Sequence, residues 1–130
     1  MYRKDLITAE IEKLAQVLAR IIGLKIELRL EESELLFDQT LSSSFGIEKA
    51  ILLHPDNVEF EKWLEKSDLG PEKLNALSDF LFSEIDFEKQ PINSAYIAQK
   101  LNLVYQTLSD KHQTIHLINL GRQNYIQQFI

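Results

Sequence analysis

SAYIAQKLNLVYQTLSDKHQTIHLINLGRQNYIQQFI, residues 94–130, is the stretch that decides how this chain folds. Ile97, Ala98, Leu101, Val104, Tyr105 and Leu108 recur at intervals of three and four, the rhythm of a helix with one apolar face. Asp110-Lys111-His112-Gln113 interrupts that rhythm, and Ile115, Ile118, Tyr125, Ile126 and Phe129 start a second stripe. Two amphipathic helices joined by a short polar turn must bury their stripes against each other and against a neighbour. The spacing predicts a helical hairpin capped by Asn93 or Ser94.

The pattern upstream is also helical. Ile7, Ile11, Leu14, Leu18 and Ile21 form a seam at spacings of four and three, which predicts a helix from about Lys4 to Ile22 with Gly23 as its stop. Leu24, Ile26, Leu28 and Leu30 alternate with polar residues, as in a strand, but have no alternating partner nearby. One helix from about Leu24 to Ser42 is therefore expected, ended by Ser42-Ser43-Ser44-Phe45-Gly46. Ile47 to Leu53 reads as a helical turn, and Val58 to Glu65 as a short helix capped by Asp56 or Asn57. Pro71 suits a first helical turn, and Leu74, Leu77, Leu81 and Ile85 carry that helix to Phe87 before Gln90-Pro91 breaks it.

These elements predict an all-α fold of five or six antiparallel helices in stacked hairpins, one domain over residues 1–130. Its parts are an N-terminal hairpin (1–46), an irregular segment with a short helix (47–70) and a repeat-like portion (71–130).

The final hairpin resembles a tetratricopeptide-type repeat. With Ala98 at the first signature position, Leu101, Tyr105, Thr114, Ile118 and Gly121 fall where that family has apolar, aromatic and small residues, while Asn102 departs from it and no proline closes the unit. The resemblance implies a concave face that binds peptides, with Gln99, Lys100 and Gln106 on it. The opening Tyr2-Arg3-Lys4-Asp5-Leu6-Ile7, with Ile11-Glu12-Lys13-Leu14 and Leu18-Ala19-Arg20-Ile21-Ile22-Gly23-Leu24, is similar to the start of small bacterial helical proteins known as domains of unknown function. That second resemblance implies a bacterial, cytoplasmic helical protein and no reaction.

Composition narrows the function classes. A net charge of −6 argues against a nucleic-acid module, which needs a concentrated basic face. No cysteine is present, so disulfides and thiolate metal sites are excluded. No uncharged apolar run approaches the ~18 residues of a membrane span, and Glu10, Glu12 and Lys13 interrupt any leader-like core, so a cytoplasmic protein is expected. Gly23, Gly46, Gly70 and Gly121 are isolated, which leaves no phosphate-cradling loop and no nucleotide cofactor to expect. No Gly-x-Ser-x-Gly elbow surrounds the three serines.

His112 and His116 are four apart, a spacing that on one helix face could hold a metal ion with Asp110 nearby. Asp79, Glu84, Asp86 and Glu88 make an acidic helix end, and Glu31-Glu32-Ser33-Glu34 an acidic run near a helix's middle. Both read as solvated faces rather than acid–base pairs. Trp63, beside Phe60 and Leu64, reads as core or as a side chain fixing a loop. Gly121 costs its helix ~1 kcal/mol against alanine, which suggests close approach to the preceding helix. The chain ends on Tyr125-Ile126-Gln127-Gln128-Phe129-Ile130, and Phe129 and Ile130 must dock on the core or on another subunit. The function expected is a non-catalytic protein-interaction or scaffold module, with a protein partner or a homodimer. A small metal-dependent enzyme or sensor using the histidine pair is the alternative.

Overall fold

A computed structural model describes the backbone of residues 2–130 and the side chains of residues 5–130. The side chains of Tyr2, Arg3 and Lys4, which open the second resemblance, lie outside the described residues. Among the described residues the fold is all-helical, with seven α-helices and no strand: α1 (Tyr2–Ile26), α2 (Leu30–Thr40), α3 (Lys49–Leu52), α4 (Val58–Lys66), α5 (Pro71–Ser83), α6 (Pro91–Asp110) and α7 (Leu117–Gln127). The chain divides into two compact units, residues 1–48 and 49–130, where a single domain was expected.

The first unit is the hairpin of α1 and α2. Leu14, Ile21 and Leu24 of the α1 seam are buried with Phe37, Leu41, Phe45 and Ile47. Gly23 does not stop α1. The helix runs through it to Ile26 and closes two residues later, where Leu28 takes a left-handed φ of 62°. Arg29 N–H then donates to Leu24 C=O and Leu28 N–H to Lys25 C=O, the paired bonds of a Schellman close. The 24–30 alternation is thus a helix end plus a turn, and only Leu24 of its four apolar residues is buried. Leu28 stands where glycine is usual, so the sequence shows no stop at the true boundary. Glu31 and Glu32 occupy the first turn of α2, where the helix dipole favours acids, not its middle.

Two polar side chains face inward from α2. Ser33 Oγ donates to Ile21 C=O across the hairpin (3.1 Å), and Thr40 Oγ1 donates to Leu36 C=O (2.8 Å). After Thr40 the helix widens into a π-turn over Leu41–Phe45, and Gly46 ends it at φ 68°. The Ser-Ser-Ser cluster therefore does mark a helix terminus, with Gly46 supplying the left-handed residue.

In the second unit, α6 is the spine. It packs against α3, α4, α5 and α7 and buries Ile97, Ala98, Leu101, Val104, Tyr105 and Leu108. Its largest interface is with α5, which contributes Leu74, Leu77, Phe80 and Leu81. From α4, Phe60 and Leu64 join the core, and Trp63 lies half-buried 5.4 Å from the Phe60 ring. At the start of α4, Val58 N–H is held by Asp56 Oδ1 (3.1 Å), while the Asn57 side chain makes no cap.

Helix α5 ends at Ser83 rather than Phe87, because the next residues form a loop built around Asp86. Its Oδ1 accepts from the N–H groups of Glu88 and Lys89 (both 3.1 Å), and its own N–H donates to Ser94 Oγ (2.8 Å). Ser94 is therefore a loop tie inside α6. Helix α6 begins at Pro91 without the side-chain cap expected from Asn93 or Ser94.

Candidate functional site

The two helices of the expected repeat behave differently. Helix α6 turns Ala98, Leu101 and Tyr105 inward, as any helix does with its apolar face. Past its end, Gln113 adopts a left-handed φ of 50° and Thr114 N–H bonds back to Leu108 C=O (2.9 Å), so residues 111–116 form a non-helical link. His112 sits in that link. His116, with extended backbone, is the residue just before α7. The two imidazoles therefore do not share a helix face, and the geometric premise of a metal-pinching pair is corrected. Among the described residues no three His, Asp or Glu side chains come together as a metal-binding group.

Helix α7 is docked by polar side chains. Asn119 Nδ2 donates to Asn75 Oδ1 of α5 (2.7 Å), Gln123 Nε2 donates to Asn102 Oδ1 of α6 (3.0 Å), and Arg122 Nη1 donates to Asp79 Oδ1 (2.6 Å). The Arg122 guanidinium also lies over the Phe82 ring at 4.6 Å, and Ile126 is the one fully buried aliphatic of the helix. Positions 119, 122, 123 and 126 follow the spacing of a helix face turned inward, but three of the four are polar.

Ile126 apart, the aliphatic residues of α7 are consequently exposed. Leu117 is 86% exposed, Ile118 69% and Leu120 44%, and Ile115 in the link is 65% exposed. The stripe expected to bury Ile115 and Ile118 is thus an outer surface, and only Ile126 of that stripe is core. Gly121 shares this outer face. A Cβ there would meet nothing within 4 Å, so close approach to α6 does not explain the glycine.

The chain end forms an aromatic rim to this face. Phe129 stacks on Phe87 (centroids 3.9 Å apart, 13° between planes), and Tyr125 touches Phe129, Phe87 and Phe82 at 5.4, 5.9 and 6.3 Å. The docking of Phe129 is therefore on an aromatic shelf, with both Phe129 and Ile130 left half-exposed.

The expected peptide-binding residues separate. Lys100 is fully buried: its ammonium donates to His54 C=O in the α3–α4 link and sits 5.8 Å from the centre of the Tyr96 ring. Burial holds its pKa below the usual lysine range, with Asp56 pulling the other way. This lysine ties a loop to α6 and is withdrawn from any surface. Gln99 is half-buried. Gln106 is exposed and lines a groove of about 390 Å³ between α4 and the end of α6, whose floor is Leu64, Leu103 and Thr107 and whose rim is Glu61, Glu65, Asp110 and Lys111.

Of the acidic helix-end residues, Asp79 anchors Arg122 and Asp86 organises its loop, so neither is placed for acid–base work with the other. Sequence reasoning missed Asn75, Asn102 and Asp79 as the partners of α7. The signal was present as polar residues at helical spacing, Asn75 with Asp79 on α5 and Asn119 with Arg122 and Gln123 on α7. Among the described residues no helix is long and apolar enough to cross a membrane. Compared with protein-family models, curated proteins and solved structures, the chain matches none.

Proposed function

We propose that this chain is a non-catalytic protein-binding module whose working surface is the outer face of α7 with its aromatic rim. One observation carries the reading: α7 spends Asn119, Arg122 and Gln123 on the fold and leaves Leu117, Ile118 and Leu120 in water. Large apolar side chains left exposed together on one element mark surfaces that meet another protein. A tetratricopeptide-like peptide site on α6 is the secondary expression of the same reading. It rests on Gln106 at the acidic-rimmed groove rather than on Lys100.

A photo-reactive phenylalanine analogue placed at Leu117 tests the proposal in cells of the source organism, with the same analogue at exposed Glu72 as control. Protein adducts at position 117 and not at 72 are expected. A Leu117 probe that captures no protein, neither another nor a second copy of this chain, overturns the reading.

A further inference from the structure

We infer that the partner of this face is a second copy of the chain, bound by antiparallel crossing of the two α7 helices at Gly121. The inference rests on the protein-binding reading above and names its partner.

The first observation is the glycine itself. Glycine inside a helix costs ~1 kcal/mol relative to alanine, and it lets another backbone approach closely. Gly121 lies in the middle of α7, has no left-handed φ, and faces open space in its own protomer. Nothing within the fold uses its missing side chain. A helix laid across the outer face would use it, because interaxial distance is set by the side chains at the crossing point.

Symmetry supplies the second. A two-fold interface places the same patch on both sides. With the axis through Gly121 and the helices antiparallel, Leu117 of one copy meets Tyr125 of the other, four residues to either side of the crossing. Both are apolar and both are exposed. Ile118 flanks Tyr125, and the exposed amides of Asn124 and Gln128 continue the row of Leu117 and Gly121.

Charge is the third. The chain carries −6, so most of its surface repels a second copy. From His112 to Ile130 the only charged side chain is Arg122, and it is occupied by Asp79. This is the part of the second unit that can meet itself without like charges facing each other.

Area is the fourth. The exposed fractions of Ile115, Leu117, Ile118, Leu120 and Tyr125, with those of Phe129 and Ile130, amount to about four fully exposed large side chains. At roughly 150–200 Å² each that is on the order of 700 Å², close to the ~800 Å² each partner buries in a standard interface.

The absence of cysteine makes the test direct. Light scattering of the full chain from low to high micromolar concentration is expected to show a dimer of the 15.1 kDa protomer. Gly121→Leu replaces glycine with a better helix former, so it keeps the helical circular dichroism while its bulk at the crossing halves the measured mass. Under mild oxidation Gly121→Cys is expected to give a covalent dimer in high yield, where Glu72→Cys does not. In a mixture, Leu117→Cys and Tyr125→Cys copies are expected to join to each other more than to themselves, which fixes the antiparallel sense. A parent chain that is monomeric throughout, or a Gly121→Cys variant no more cross-linked than Glu72→Cys, overturns the inference. If that monomer's Leu117 photo-probe still captures another protein, self-association falls and the protein-binding reading stands.

Discussion

Tyr105 offers the sharpest test of the packing of α6. Its ring is 4% exposed, and its hydroxyl is buried without a hydrogen-bond partner. Burial pushes the phenol up to about 12, with Arg122 pulling it down and Asp79 pushing it further up. Replacing Tyr105 by phenylalanine keeps the ring and removes the hydroxyl. At pH 7 an unpartnered buried hydroxyl is a liability of roughly 1–3 kcal/mol, so the variant should be at least as stable as the parent. The alkaline limb gives a second number. The folded state holds the phenol proton to about 12 and the unfolded state releases it near 10. Between those values the native state binds more protons, so this group's contribution to stability falls as pH rises. At pH 11 the loss is about 1.4 kcal/mol, and it approaches ~2.7 kcal/mol above pH 12. The variant lacks this term, so its advantage over the parent should widen from pH 9 to pH 11.

Urea unfolding followed by the fluorescence of Trp63, the single tryptophan, reads both numbers in the unit that holds Tyr105. Taking the difference between variant and parent at each pH cancels the other titrating groups. A Tyr105→Phe protein destabilised by more than ~1 kcal/mol at pH 7 would refute the reasoning. It would mean that the hydroxyl is satisfied, by the neighbouring Arg122 guanidinium or by water in the hollow of about 60 Å³ that Tyr105 lines with His116 and Asn119. A stability difference flat between pH 9 and pH 11 would refute the raised phenol.

Further outcomes are expected for the backbone, for Lys100 and for Arg122. Among backbone positions, Gly23→Ala should gain ~1 kcal/mol because its Cβ meets nothing in mid-helix, Leu28→Gly should gain ~1 kcal/mol at its left-handed φ, and Gly46→Ala should lose ~1 kcal/mol, all read by thermal melts in circular dichroism. For Lys100, whose pKa burial lowers, the unfolded state binds more protons between the lowered value and 10.5, so the parent should gain stability toward pH 10 relative to Lys100→Met; urea midpoints that track each other across that range would count against a buried ammonium. Arg122→Ala removes the Asp79 contact and the Phe82 stacking, and should cost ~1–2 kcal/mol with faster amide exchange confined to α7; unchanged exchange there would show that the polar contacts do not hold the helix.

Helix content was open to reading because apolar spacing carries the helical period. The α1 seam and the α6 stripe are inward as their periods require, and the short α4 around Phe60 and Leu64 falls where it was expected. Boundaries were obscured where a side chain occupies a place that local chemistry assigns to another residue. Leu28 closes α1 at a left-handed φ without being glycine, and Gly23 passes through the helix without stopping it. The shared helix of His112 and His116 was misplaced for a related reason: Gln113 takes a left-handed φ, and the link it shapes delays α7 until Leu117. Lys100 was hidden because a lysine inside an apolar stripe is read as exposed, whereas its ammonium found a carbonyl 46 residues away in sequence.

The orientation of α7 shows why an apolar period can point the wrong way. Facing Leu117 and Ile118 toward α5 would bury two aliphatic side chains, worth roughly 1.5–3 kcal/mol each. It would also cover Asn75 and Asp79 with groups that cannot bond to them, at ~1–3 kcal/mol for a stranded amide and more for a stranded carboxylate. Arg122, Asn119 and Gln123 would turn into water with their partners gone. The polar row on α5 thus decides which face of α7 is inner, and an amphipathic helix read alone carries no information about the row it must meet. The apolar surface is the consequence: α5 and α6 select the polar face, and what α7 has left to offer is Leu117, Ile118 and Leu120 around a glycine that its own protomer leaves open.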